Sequence, residues 1–167
     1  HAILTGEPLI GDEPFAVVLA DDLCDCNGDG VISQMIEVYN QYQCSVIAIE
    51  EVPMNQTHKY GIIAGNLIDN SDDTYRVTDM VEKPEEESAP SNMAIIGRYI
   101  LTPDIFNILK NIEPDKNGEI QITDALLVQA RQSKVIAYKF KGRRFDCGSI
   151  SGYLQASNYF AKKQGIV

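Results

Sequence analysis

FAVVLADD, residues Phe15–Asp22, and CSVIAIEE, residues Cys44–Glu51, decide the fold class. Phe15–Leu19 and Cys44–Ile49 are continuous apolar runs rich in β-branched residues. Such runs read as strands buried on both faces of a parallel sheet. Between them, Val31, Met35, Val38 and Tyr42 fall on one stripe of a helix over Val31–Tyr42. Strand, helix and strand at this spacing make a βαβ unit.

Further along the chain, Tyr60–Ile68 and Tyr75–Val81 read as strands joined through the polar turn Asp69–Asp73. Met93–Leu101 is another apolar strand, and Val135–Phe140 a strand of alternating character. Helices are expected over Pro103–Lys110, capped by Thr102 with Pro103 at the first position. Others are expected over Gly118–Ala130, entered through Thr123 and Asp124, and over Ser149–Lys163. His1–Leu4 reads as the tail of a helix running into a Gly/Pro loop, so further chain is expected ahead of His1. The expected class is α/β, with antiparallel strands inserted in the middle.

At 167 residues the chain is one domain's worth of polypeptide. Its net charge of −10, from 14 Lys and Arg against 24 Asp and Glu, argues against a nucleic-acid backbone or an anionic membrane as partner. No apolar run approaches the ~18 residues of a bilayer span. Cys24 and Cys26 form CxC rather than the CxxC pairs of zinc sites, with no His nearby. Reduced thiols in a cytoplasmic protein fit the four cysteines better.

Four stretches can carry chemistry. Asp21 and Asp22 follow an apolar strand, where open α/β sheets bind ligands. They read either as a turn or helix cap, or as ligands for a hard divalent cation. Asp146, in FDCGS, follows a strand and precedes a helix, and it too is either an Asx turn or a ligand. Two carboxylates ~4 Å apart repel by ~4 kcal/mol at an effective dielectric of ~20, so a close pair needs a cation or a proton. Glu82 and Lys83 precede Pro84, which ends the strand and fixes their exits. They are either a surface ion pair, or a sugar-hydroxyl acceptor beside a point charge for phosphate. Tyr60-Gly61 is either a plain bulge or a place of close backbone approach to a ligand. Asp25–Ser33 (DCNGDGVIS) matches the front of a calcium loop, but position twelve is Ile36 instead of Glu.

Read together, FAVVLADDL, CSVIAIEEVP, KYGII, DMVEKP, APSNMAIIGRYIL, NGEIQITDAL and FKGRRFDCGSISGYLQA resemble the bacterial UTP–glucose-1-phosphate uridylyltransferases (UDP-glucose pyrophosphorylases), a family of sugar nucleotidyltransferases. The resemblance runs in order along essentially the whole chain. It implies a Rossmann-like nucleotidyltransferase fold, with a mixed, mostly parallel sheet, helices on both faces and an antiparallel insertion. Residues 1–167 would be the C-terminal, sugar- and metal-binding portion of that single domain. The implied reaction is Mg²⁺-dependent formation of UDP-glucose and pyrophosphate from UTP and glucose 1-phosphate. By motif match, Asp21 and Asp146 would hold the metal, with Asp22 an auxiliary acid. Glu82 would hold glucose hydroxyls, Lys83 would lie on the sugar phosphate, Gly61 would offer backbone to the sugar, and Asn92 is a further candidate for the sugar pocket. Arg143 or Arg144 is expected to help attract the anions, and a homo-oligomer is implied.

The family's GxGTRxxP triphosphate loop and its base-reading residues would lie before His1, so these 167 residues by themselves are expected to be inactive. Two alternatives stand beside this reading. One is another hexose-1-phosphate nucleotidyltransferase, such as a thymidylyltransferase. The other is a non-catalytic calcium-binding module built on Asp25–Asp29.

Overall fold

A computed structural model describes residues 1–115 and 118–166. Two short helices, α1 (Ala2–Thr5) and α2 (Glu7–Ile10), occupy the stretch expected to be a helix tail and loop. There follow β1 (Phe15–Val18), β2 (Asp22–Asp25), α3 (Val31–Tyr42), β3 (Ser45–Glu51), β4 (Gly61–Leu67) and β5 (Thr74–Glu82). The rest is β6 (Met93–Leu101), α4 (Asp104–Leu109), α5 (Ile122–Arg131), β7 (Val135–Lys139), β8 (Arg143–Asp146) and α6 (Ile150–Lys163).

Six strands form one sheet in the order β1-β6-β3-β7-β5-β4, and β4 also pairs with β6 through Ile62 and Ile63, so the sheet curls back on itself. The α/β class holds, but the mostly parallel sheet does not. Among the described residues the one parallel pairing is β3 with β7. β1 and β3 run in the same direction, yet β6 lies between them, antiparallel to both. The apolar runs misled because double burial has a second cause: helices on both faces. Along β3, Val46 and Ala48 pack with Met35 and Val38 of α3. Ile47 and Ile49 pack on the other side with Phe106 of α4 and Leu126 of α5. β7, expected to alternate, is buried at its first four residues for the same reason.

β1 is a further correction. It is an edge strand paired with β6 alone, and Val18 is 53% exposed instead of buried. It is held on its inner side, where Phe15 stacks on Phe106 with ring centroids 5.0 Å apart. α5 begins at Ile122, four residues later than its apolar pattern suggested. Thr102 does not cap α4; its hydroxyl lies 3.1 Å from that of Ser45 and accepts from Gln129 Nε2. Ser149 does cap α6, accepting from the Gly152 amide at 3.1 Å.

Phe106 is 2% exposed and carries both the helix layer and the edge strand. Truncating it removes a stacked, fully packed ring, so Phe106→Ala should cost ~3–5 kcal/mol of unfolding free energy in urea denaturation. A loss below ~1 kcal/mol would mean that β1 is not anchored through this ring.

Candidate active site

The site begins with a pairing that no local pattern announces. β2 and β8 form a separate two-stranded antiparallel ribbon, in which Asp22 stands opposite Asp146 and Leu23 opposite Phe145. The ribbon is locked at its end by the Cys147 amide donating to the Asp21 carbonyl at 2.7 Å. It is pressed onto the main sheet at Gly97 of β6, where an added Cβ would lie 2.6 Å from the Leu19 Cβ and 2.7 Å from Asp22 Oδ2. Next to it, the buried Arg98 donates to the carbonyls of Leu19 and Asp22.

The two adjacent acids therefore have different fates. Asp22 is buried, and its carboxylate accepts from the Gly97 amide at 2.8 Å and from Arg144 Nε. Arg144, with its side chain 5% exposed, also reaches Glu50 Oε1 at 3.3 Å and Asp146 Oδ2 at 3.7 Å. Burial opposes its charge, but its hydrogen bonds and charge interactions with Asp22 and Tyr60 together outweigh this and push the guanidinium further up, so it stays protonated. Asp21 is exposed and takes no part in this ion-pair network.

Asp146 is held in a fixed orientation. Tyr60 donates its hydroxyl to Oδ2 at 2.9 Å, and the Gly148 amide donates to Oδ1 at 3.1 Å. Burial pushes the Tyr60 phenol up, which keeps it a donor at neutral pH, and Arg144 lies 4.9 Å from the centre of its ring. A methyl group placed on Gly148 would lie 3.1 Å from Asp146 Oδ1 and 3.4 Å from Asp21 Oδ2. The two carboxylates thus converge on one small volume.

They line a cleft of about 370 Å³ together with Asp22, Gly61, Glu82 and Lys83. That volume lies within the ~300–1,000 Å³ of small-molecule sites. Glu82 ends β5 directly opposite Gly61 of β4, and the Lys83 amide donates to the Tyr60 carbonyl at 3.0 Å. Lys83 sits at φ 46°, in the left-handed region, immediately before Pro84. That conformation is sparsely populated for a residue with a Cβ and costs on the order of 1–3 kcal/mol. It turns the chain sharply out of β5, and the Lys83 side chain is 59% exposed at the cleft.

Asn92 is not part of this wall; its carbonyl accepts from the Val52 amide. Of the two arginines expected to attract anions, Arg144 lines the cleft and Arg143 does not. Arg144 is consumed by carboxylates, and Arg143 lies over the rings of Phe145 and Tyr159. The calcium-loop reading gains no support. Asp25 accepts from Tyr159 at 2.6 Å and from Lys163 at 2.5 and 2.6 Å, contacts that hold its carboxyl below the usual range. All four cysteines are free thiols. Sequence reasoning missed Tyr60 as the partner of Asp146, and Arg98 and Arg144 as the frame. A charged residue inside the apolar run of β6 was the available signal for Arg98.

The different roles of the two acids are separable by stability. Asp22→Asn removes the principal partner of a buried guanidinium and should cost ~3–5 kcal/mol in denaturant unfolding. Asp21→Asn should change stability by no more than ~0.5 kcal/mol. Equal effects would contradict the division of labour between them.

A nucleotidyl transferase family model matches residues 1–163. The chain is 65% identical over 160 residues to a UTP–glucose-1-phosphate uridylyltransferase of Pseudomonas aeruginosa, covering 95% of this chain and 57% of that protein. It is 44% identical over 163 residues to a second such enzyme, of Staphylococcus saprophyticus, covering 98% of this chain and 55% of that protein. A crystal structure of UDP-glucose pyrophosphorylase complexed with UDP-glucose superimposes with a TM-score of 0.93 at 58% identity, covering 98% of this chain and 62% of that one. The chain therefore spans somewhat more than half the length of the relatives it matches, and it belongs to the nucleotidyl transferase family.

Proposed function

We propose that this chain is the sugar- and metal-binding portion of a Mg²⁺-dependent uridylyltransferase that joins UTP and glucose 1-phosphate into UDP-glucose and pyrophosphate. The observation that carries the reading is the convergence of Asp21 and Asp146 in the cleft that also holds Glu82 and Lys83. The 65% identity to the Pseudomonas aeruginosa uridylyltransferase supports the choice of uridine over thymidine nucleotide.

The donor set suits Mg²⁺, which favours hard oxygen ligands and is typically held by one or two carboxylates plus substrate phosphates. Asp21 and Asp146 would hold it, and when bound it would neutralise phosphate charge. Such help fits the cleft, because its lining acids, Asp21, Asp22, Glu82 and Asp146, outnumber its cations, Lys59, Lys83 and Arg144, while both substrates are anions. In the reaction, a phosphate oxygen of glucose 1-phosphate attacks the α-phosphorus of UTP. The bond to the β-phosphate oxygen breaks, and pyrophosphate leaves with the electron pair. The attacking oxygen is already ionised, so no side chain has to remove a proton. The protein's task is positioning and electrostatics. Lys83 holds the sugar phosphate, and Glu82 accepts from sugar hydroxyls beside Gly61. Tyr60 and Arg144 hold Asp146 in place through its Oδ2. Free thiols accord with a cytoplasmic setting, and a homo-oligomeric assembly goes with the family resemblance.

In the full-length polypeptide, Asp146→Asn should lower kcat at least ~100-fold with little change in melting temperature. Near-normal turnover would remove Asp146 from the reaction. Lys83→Gly tests the strained lysine separately. Glycine adopts φ 46° freely, so stability should stay within ~1 kcal/mol of the parent. Calorimetry should nevertheless show glucose 1-phosphate binding weakened ~10-fold or more. Unchanged binding would leave Lys83 a bystander.

A further inference from the structure

We infer that Thr123 is the positioning residue for sugar recognition, through its hydroxyl on Glu82. This rests on the reading of Glu82 as the acceptor of sugar hydroxyls and adds the element that fixes it. Thr123 stands in the first turn of α5, is 4% exposed, and donates from Oγ1 to Glu82 Oε2 at 2.5 Å. The same oxygen is enclosed from below. A Cβ on Gly61 would lie 3.1 Å from Glu82 Oε2, 3.2 Å from Thr123 Oγ1 and 3.1 Å from Ile95 Cδ1. Gly61, Ile95 and Thr123 thus form a socket for one carboxylate oxygen.

The other oxygen, Oε1, lies 3.9 Å from Lys83 Nζ, and both residues line the cleft. A glutamate free at the end of a strand would have to give up rotamer freedom when it met a sugar. Here the short, stiff, β-branched threonine removes that freedom in advance. The geometry therefore commits Glu82 to present a single oxygen in one place. That arrangement suits a hydroxyl at a defined position on a pyranose ring, and it makes α5 a wall of the sugar pocket. Thr123 touches Glu82 and does no chemistry itself.

The test uses the full-length polypeptide and compares Thr123→Val, Thr123→Ser, Glu82→Ala and the Thr123→Val/Glu82→Ala double variant. Valine keeps the shape and removes the donor. It should raise KM for glucose 1-phosphate ~10-fold, as loss of a hydrogen bond to a charged group does, with KM for UTP within ~2-fold of the parent. Serine should restore the parent KM. In the double variant the valine should add nothing to the effect of Glu82→Ala, because the donor then has no carboxylate to hold. Should valine not fold, Thr123→Ala is read in the same way.

Three results would overturn the inference: a parental KM in Thr123→Val, a serine variant as impaired as valine, or a double variant in which the two effects multiply. If Glu82→Ala impairs sugar-phosphate binding and Thr123→Val does not, this inference fails alone. If Glu82→Ala is itself silent, the sugar-binding role proposed for Glu82 fails first.

Discussion

The buried ion pair between Asp22 and Arg144 is what the site depends on. Asp22 opens β2 and Arg144 lies in β8, 122 residues apart in the chain. An isolated charge at either position would carry a desolvation penalty of several kcal/mol, so each residue requires the other. Their pairing closes the β2–β8 ribbon, and closing the ribbon places Asp146 across from Asp22 and beside Asp21. The acid nearest the guanidinium is spent on structure, while its neighbour in sequence remains available for chemistry.

Around that pair the main sheet acts as a frame. Double-sided helix packing holds β3 and β6 in place, and β6 in turn offers Gly97 and Arg98 as the seat for the 19–22 loop. From the other side, the β4–β5 hairpin delivers Tyr60, Gly61, Glu82 and Lys83 through a single register, in which Gly61 faces Glu82. Asp146 is reached from both sides: by Arg144 within its own ribbon and by Tyr60 from the hairpin. The backbone strain at Lys83 lies where the two units meet the cleft, in keeping with the tendency of such strain to gather where ligands are held.

The elements with strong periodic or continuous patterns were legible in the sequence. Val31–Tyr42 and Met93–Leu101 appear with the boundaries their patterns suggest. The sheet's polarity was not legible, because a run such as SVIAI reports burial on both faces and says nothing about the direction of the neighbouring strand. β2 and β8 were not legible either. DLCD and RRFD are four residues each, half charged or more, and gain their strand geometry from a partner distant in sequence. The candidate site was legible as separate acids and an EKP turn. What joins them was not: the Tyr60 hydroxyl and the arginine frame are tertiary facts. Asp25 is the complementary case, where a fitting loop motif is overridden by Lys163 and Tyr159 of α6.

The central claim is that Asp21 and Asp146 share one divalent ion. Titrating the isotope-labelled chain with Mn²⁺ in the presence of glucose 1-phosphate, and reading paramagnetic broadening of the backbone amides, tests it most directly. The account predicts that broadening starts at residues 21–22 and 146–148 and disappears in Asp146→Asn. Broadening that starts in the 25–29 loop or the 69–73 turn, and survives that substitution, would contradict it.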